Sequence, residues 1–239
     1  MKKKIIFIVG PTATGKSKAA IRLAEKIKGE IISCDSMQIY KGLDILSAKP
    51  SLRERKRIKH HLMGIINPSQ SFDVNKFVRL STAIIEDIHE RGKVPILVGG
   101  TGLYIDSLLN GLFQGPAKDT VIRSTLQKQA EQYGCDYLHQ QLERIDPEAA
   151  HKIHPHDVRR IMRALEVYAI TGQPISVLQK QRRGLLHDKR YVIRMFGLTL
   201  PRPQLYENIN KRVEVMFKKG AVAEVRKILR KRTSLTFRQ

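Results

Sequence analysis

The chain has 239 residues, 41% hydrophobic and 28% charged, which suffices for one sizeable core with a smaller appendage and excludes a fibrous or disordered chain. Its 44 Lys+Arg against 22 Asp+Glu leave a formal charge of +22, an excess that favours a polyanionic partner, nucleic acid above all. No apolar run approaches the ~18–20 residues that cross a bilayer, and Cys34 and Cys135 make neither a disulfide framework nor a zinc spacing, so a cytoplasmic chain with no membrane partner is expected.

Lys2-Lys3-Lys4 before Ile5-Ile6-Phe7-Ile8-Val9 looks superficially like a secretory signal, but the apolar part ends at Val9 and reads as a first strand. Gly10-Pro11-Thr12-Ala13-Thr14-Gly15-Lys16-Ser17 follows, a G-x-x-x-x-G-K-S run between strand and helix. Its glycines let main-chain N–H groups point inward around two linked phosphates. Lys16 adds a positive charge, and Ser17 offers a hydroxyl to Mg²⁺. Lys16 to Lys28 has helical spacing (Ala20, Leu23, Ala24, Ile27), with Gly29 expected to end it.

Glu30 to Cys34 reads as a second strand, ending at Asp35-Ser36-Met37-Gln38. Residues 41–72 read as basic loop. Asp73 to Glu90 reads as a helix with Asp73 as N-cap, and Val94 to Val98 as a third strand. That strand ends in Gly99-Gly100-Thr101-Gly102, with no carboxylate where a P-loop NTPase usually holds Mg²⁺, which weakens the ATPase and GTPase readings. Another helix begins at Thr101. After Gly115-Pro116 the pattern is helical and polar from Asp119 to about Arg183. Tyr191 to Leu198 returns to strand, and helices follow at about 203–218 and 220–231; Thr233 to Gln239 reads as a cut rather than a natural stop.

The expected fold class is therefore α/β: a P-loop NTPase-like parallel sheet flanked by helices, with an all-helical insertion. Residues 1–116 and 189–239 form the discontinuous core and 117–188 the insertion. Asp35 and Thr101 end strands at the carboxyl edge of the sheet, where open α/β sheets bind ligands, so both converge on the phosphate loop. Asp35 suits a general base or a water-mediated Mg²⁺ contact, or else caps a helix; Thr101 has the same capping alternative. Met37 reads as a crevice wall or as core packing. The pair His60-His61 packs or touches nucleic acid rather than ligating a metal, and His151, His154 and His156 fit no zinc pattern. On the segment His156 to Glu166, Arg159 and Arg163 stand at i, i+4 on one face and suit phosphate or base stacking, unless Glu166 takes one as an ion-pair partner.

Several runs occur in a fixed order: the loop 10–17, Asp-Ser-Met-Gln-Ile-Tyr at 35–40, Ala-Lys-Pro at 48–50, His-His-Leu at 60–62, Gly-Gly-Thr-Gly-Leu-Tyr at 99–104, Asp-Val-Arg-Arg-Ile-Met-Arg-Ala-Leu-Glu-Val at 157–167 and Arg-Val-Glu-Val-Met at 212–216. With these, the chain resembles the bacterial tRNA dimethylallyltransferase (isopentenyl-diphosphate:tRNA transferase) family from residue 5 to its last residue. It departs at Leu46-Ser47, where the family usually has Gly-Thr before Ala-Lys-Pro, and family members are usually longer.

The resemblance implies transfer of a dimethylallyl group from dimethylallyl diphosphate to N6 of the adenosine 3′ of the anticodon. It implies that Gly10, Pro11, Thr12, Ala13, Thr14, Gly15, Lys16 and Ser17 hold the diphosphate, with Mg²⁺ at Ser17. It makes Asp35 the base toward the adenine amine, sets Ser36, Met37 and Gln38 beside the flipped adenosine, and puts Thr101 near the reacting centre and the tRNA. Arg123, Arg159, Arg160, Ile161, Met162 and Arg163 would meet the anticodon loop, and Arg212 would steady the departing diphosphate. A monomer is expected. Three rival readings are a P-loop small-molecule kinase, argued against by the missing second acid and the strong positive charge; an adenylate isopentenyltransferase, which has no need of the Arg-rich segment; and an inactive tRNA-binding protein, argued against by the intact Lys16, Ser17 and Asp35.

Overall fold

The computed structural model describes residues 2–113 and 115–230. The chain runs β1 (Lys3–Val9), α1 (Lys16–Ile27), β2 (Gly29–Cys34), α2 (Leu52–Arg57), β3 (His60–His61), α3 (Val74–Glu90), β4 (Val94–Gly99) and α4 (Gly102–Asn110). Five helices follow: α5 (Thr120–Tyr133), α6 (Cys135–Ile145), α7 (Pro147–Lys152), α8 (Val158–Thr171) and α9 (Ile175–Lys180). A 3₁₀ turn (Leu185–His187), β5 (Tyr191–Gly197), α10 (Arg202–Lys218) and α11 (Ala221–Arg230) complete the order. The expected end at Thr233 to Gln239, and the last residue of the helix expected at 220–231, lie outside the described residues.

All pairings in the sheet are parallel, in the order β3-β2-β4-β1-β5. β1, β2 and β4 carry apolar side chains on both faces, as a parallel sheet covered on both sides requires. Alternation sorts them. Ile8, Ile31, Ile96 and Val98 pack with Ala20, Ile21 and Ala24 of α1. Ile5, Phe7, Ile32 and Leu97 pack with Phe77, Ile85 and Ile88 of α3 and Tyr104 and Leu108 of α4. α1 thus covers one face and α3 with α4 the other.

Two elements escaped the sequence reading because they are short and polar. Within 41–72, Ser51 and Glu54 form a reciprocal capping box that starts α2, and His60-His61 adds an edge strand to β2. At the end of α1 the left-handed residue is Lys28 (φ 54°), not Gly29. Gly29 instead opens β2, where a Cβ would lie 2.8 Å from Ile96 Cδ1, so glycine is needed there for close strand packing rather than to stop a helix.

The chain divides into two compact units: Gly111–Arg183, and the described residues on either side of it. The division falls at Gly111 rather than at the composition shift after Gly115-Pro116. Gly111 sits at φ +94°, and a Cβ there would lie 2.5 Å from the Arg183 backbone, so the two ends of the helical unit touch at that point. Its core gathers Leu126 of α5, Leu138 and Leu142 of α6, Ala149 and Ala150 of α7, and Ile161, Ala164, Leu165 and Val167 of α8. Asp146, buried between α6 and α7, caps α7 through the Ala149 amide (3.0 Å) and holds α9 through the Ser176 amide (2.9 Å). Among the described residues no helix is long and apolar enough to cross a membrane.

The strand that leads to Asp35 carries a buried carboxylate. Glu30, 1% exposed, accepts from Arg91 through both guanidinium nitrogens, from Lys93 Nζ at 2.8 Å, and faces His61 Nε2 at 2.8 Å. The Arg91 bonds, against the opposing effect of burial, hold its pKa well below the carboxylate range, helped by Lys93 and His61. A group whose folded pKa is depressed stabilises the fold above its unfolded pKa, ~4.3 for Glu, and that stability is lost as pH falls further. Glu30→Ala is expected to cost about 2–3 kcal/mol at neutral pH in urea unfolding, and to flatten the wild-type decline in stability below pH ~4.

Candidate functional site

The carboxyl ends of β1, β2 and β4 meet at a cavity of about 270 Å³. Its floor is the loop after β1. Gly10 (φ +141°), Ala13 (φ +63°) and Gly15 (φ +87°) take left-handed or otherwise positive-φ conformations, the alternation that turns successive N–H groups into an anion-binding concavity. Gly10 has no substitute: a Cβ would stand 2.2 Å from the Leu198 carbonyl oxygen. Gly15 precedes α1 with no side-chain cap, so the first amides of that helix are left for a ligand. Lys16 and Ser17 line the cavity, with Ser17 exposed to it.

Two residues of α10, one turn apart, reach this loop. Arg212 donates to Thr12 Oγ1 at 2.7 Å, and Asn208 Nδ2 lies 3.5 Å from the Ala13 carbonyl. Lys16 Nζ donates to the Pro11 carbonyl at 2.5 Å. Its pKa is lowered by burial first and by the Arg212 guanidinium second, while Asp35 opposes both. A half-buried lysine, an arginine and open amides around one small cavity form a receptor for a multiply charged anion.

Asp35, half-buried, also lines the cavity. Its Oδ1 accepts from the amides of Met37 (2.8 Å) and Gln38 (3.4 Å), while Oδ2 makes no hydrogen bond among the described residues. Thr101 Oγ1 accepts from the Ser36 amide at 3.2 Å and the Thr101 amide donates to the Cys34 carbonyl at 3.2 Å, so this hydroxyl ties the ends of β2 and β4 together instead of capping α4. Gln38 lines the cavity but both ends of its amide are engaged, with Ser33 Oγ (2.8 Å) and the Ser47 carbonyl (3.3 Å). Met37 is exposed and does not line the cavity; Met63 does. A backbone turn held by Asp35 directs Met37 outward.

In the helical unit the alternative left open by the sequence holds: Glu166 takes an arginine of α8, Arg163, as its ion-pair partner. Glu166 is fully buried on α8 and accepts from Arg123 (2.7 and 2.9 Å), from Arg163 (2.7 Å) and from the Asp119 amide (2.9 Å). Burial alone would raise its pKa; these bonds outweigh that and hold it at about 2. Arg163 and Arg159 therefore do not act as an aligned pair. Arg163, drawn in by Glu166, lines one groove with Arg160, whereas Arg159 lines another with Arg123 and Met162. Arg160 is exposed beside Asp157, which caps α8. Ile161 is fully buried in the unit's core, so its side chain offers nothing to a ligand: it is the inward residue of α8, and its place in the motif is one of packing.

The family model described as IPP transferase matches residues 38–238. This chain belongs to the IPP transferase family. The curated tRNA dimethylallyltransferase of Carboxydothermus hydrogenoformans is 50% identical over 230 residues, covering 96% of this chain and 73% of that protein. That of Caldanaerobacter subterraneus subsp. tengcongensis is 48% identical, over 95% and 72%. Among solved structures, the chain is similar to the full-length tRNA isopentenylpyrophosphate transferase of Bacillus halodurans (TM-score 0.66, 41% identity, 100% of this chain and 73% of that one). It is also similar to a eukaryotic dimethylallyltransferase acting on tRNA (TM-score 0.79, 33% identity, 98% and 58%).

In this IPP transferase the cavity wall also takes Ala48, Pro50, His60 and Met63 from the segment read as basic loop; the runs Ala-Lys-Pro and His-His-Leu marked the first three only through the family resemblance, and Met63 carried no signal. Ala48 and Pro50 are in place because Lys49 between them is buried, donating to the Tyr40 carbonyl (2.6 Å) and Asp44 (3.0 Å). The Ala-Lys-Pro run at 48–50 was the available signal. Asn208 had none beyond its one-turn offset from Arg212. The charges around Lys16 make its titration a direct test of this geometry. In a lysine-labelled NMR titration Lys16 is expected to deprotonate at lower pH than the surface lysines; Arg212→Ala raises its pKa and Asp35→Asn lowers it. Shifts of the opposite sign contradict the arrangement.

Proposed function

We propose that this chain transfers the dimethylallyl group of dimethylallyl diphosphate to N6 of the adenosine 3′ of the anticodon in tRNA. The observation that carries this reading is a single one: an acid, Asp35, and a phosphate-binding loop, Gly10 to Ser17, open into the same cavity. Membership of the IPP transferase family, and relatives named tRNA dimethylallyltransferase, support a prenyl donor and a tRNA acceptor.

The chemistry follows from the groups at hand. An allylic diphosphate breaks its C–O bond with growth of negative charge on the leaving group. Loop amides, Lys16 and Arg212 stand ready for that charge, and they cost no reorganisation because Thr12, Pro11 and Leu198 already hold them. Mg²⁺ asks for hard oxygen donors; the exposed Ser17 hydroxyl, which lines the cavity, would hold the ion together with the diphosphate, and the ion would neutralise charge on the leaving group. The amine of adenine is a weak nucleophile because its lone pair is shared with the ring. Asp35 Oδ2 accepts the amine proton as the C–N bond forms, and Oδ1, engaged by the Met37 and Gln38 amides, fixes the carboxylate's orientation. Extruding one base from a loop costs a few kcal/mol, least where the nucleotide is already single-stranded.

The acceptor is offered a basic surface. One groove of the helical unit carries Lys152, Arg160, Arg163, Lys180 and Arg182, another Arg123 and Arg159, and the whole chain carries +22. Such a surface grips a phosphate backbone and weakens with salt. The free thiols Cys34 and Cys135 are consistent with a cytoplasmic enzyme.

The test of the reading is an incubation with labelled dimethylallyl diphosphate, Mg²⁺ and either unmodified tRNA or AMP: label is expected on tRNA alone, and label on AMP alone overturns it. For Asp35, Asp35→Asn keeps an acceptor for the Met37 and Gln38 amides but removes the base. It is expected to lower kcat about 10²–10³-fold while tRNA affinity, measured by filter binding, stays within about threefold; equal losses in both contradict the role.

A further inference from the structure

The segment between β2 and α2 supplies Asp35, Gln38, Ala48 and Pro50 to the cavity lining, yet it holds no helix or strand of its own. It is held from inside by Gln38 (to Ser33 and Ser47) and by Lys49 (to Tyr40 and Asp44). Its stretch 44–46 is held by one residue of α11. Glu224, in the first turn of α11, accepts three consecutive main-chain N–H bonds: from Asp44 at 2.8 Å and Ile45 at 2.8 Å to Oε2, and from Leu46 at 2.9 Å to Oε1.

Three successive amides aimed at one carboxylate make a charge-assisted clamp, stronger than bonds to a neutral acceptor. Its base is rigid, because α11 is seated through Ala221 and Ile228, and Ile228 belongs to the main core cluster. Its grip lies two residues before Ala48, which lines the cavity with Pro50. Asp44 and Leu46 are exposed, so when the carboxylate is removed the amides of 44–46 turn to water and lose their fixed course, while the buried Leu43, Ser47 and Lys49 on either side keep the chain folded.

We infer that Glu224 is a positioning residue: it sets the loop 44–50 against the cavity and so fixes the wall that receives the acceptor base, without touching the diphosphate side formed by Gly10 to Ser17 and Arg212. This inference rests on the acceptor reading proposed above. It assigns α10 and α11 two separate tasks, α10 steadying the phosphate loop and α11 holding the stretch that leads to Ala48 and Pro50.

Two measurements on the whole chain test it. The first is amide hydrogen exchange of the protein without RNA. In Glu224→Ala the amides of 44–46 are expected to exchange at least about tenfold faster, with those of β1 and β4 unchanged; Glu224→Gln, which keeps one carbonyl oxygen, falls between. The second is kinetics with an anticodon-loop RNA. Glu224→Ala is expected to raise KM for the RNA about tenfold, with kcat and the affinity for inorganic pyrophosphate within about twofold. Unchanged exchange at 44–46 overturns the clamp. Faster exchange with an unaltered KM overturns its role toward the acceptor, as does a matching loss of pyrophosphate affinity, which marks a general effect on the fold. A wild-type chain that labels no RNA overturns the function proposed above on its own, and the exchange comparison then still decides whether Glu224 holds the loop.

Discussion

Main chains approach one another at the carboxyl edge of the sheet more closely than side chains would allow, and the site depends on that approach. A Cβ on Gly10 would sit 2.2 Å from the Leu198 oxygen, one on Gly99 would sit 2.2 Å from the Cys34 oxygen, and one on Gly100 would sit 3.1 Å from the Gly10 oxygen. The ends of β5, β1, β4 and β2 are thereby drawn together in that order across the sheet. The cavity exists because glycine occupies these positions. Its polar lining then follows from where the strands stop: Asp35 after β2, Thr101 after β4, and the phosphate loop after β1. The Thr101 hydroxyl on the Ser36 amide closes the gap between two of these ends and keeps Asp35 facing inward.

Much of this was legible in the sequence, and for identifiable reasons. Strands buried on both faces announce themselves as continuous apolar runs, so β1, β2 and β4 stood out; the edge strand β5 showed through Tyr191-Val192-Ile193 although most of it is exposed. The phosphate loop was legible because its chemistry demands glycine at set positions. The two-residue edge strand β3 and the short α2 were not, since neither buries enough apolar surface to leave a periodic trace. Periodicity gave no sign that the segment from Ala48 to Met63 walls the cavity, for a related cause, although its runs Ala-Lys-Pro and His-His-Leu carried the family resemblance. Its course is set by a buried lysine and by side chains bonding to main-chain atoms, none of which leaves a periodic pattern in the residues themselves.

The helical unit teaches a narrower lesson about arginine. Spacing on a helix says which side chains share a face, but not whether they are available. Arg159 and Arg163 satisfy the i, i+4 rule, yet the buried Glu166 recruits Arg163 together with Arg123, and Ile161 between them turns wholly inward. Glu166 is charged and fully buried, an arrangement that is stable only while both guanidinium groups and the Asp119 amide surround it. The consequence is that two arginines are rigid fixtures of the unit's surface. Such pre-set groups lose less freedom on meeting a phosphate than a mobile side chain does.

The bond between Arg212 and Thr12 joins residues 200 positions apart. During synthesis the phosphate loop therefore leaves the ribosome long before the helix that steadies it. A nascent chain carries the amide cradle early but acquires its guanidinium partner only late, so a partly translated molecule has glycines in place and an incomplete charge set. Competence for the anion arrives only after α10 has been made and has folded back onto a loop synthesised 200 residues earlier.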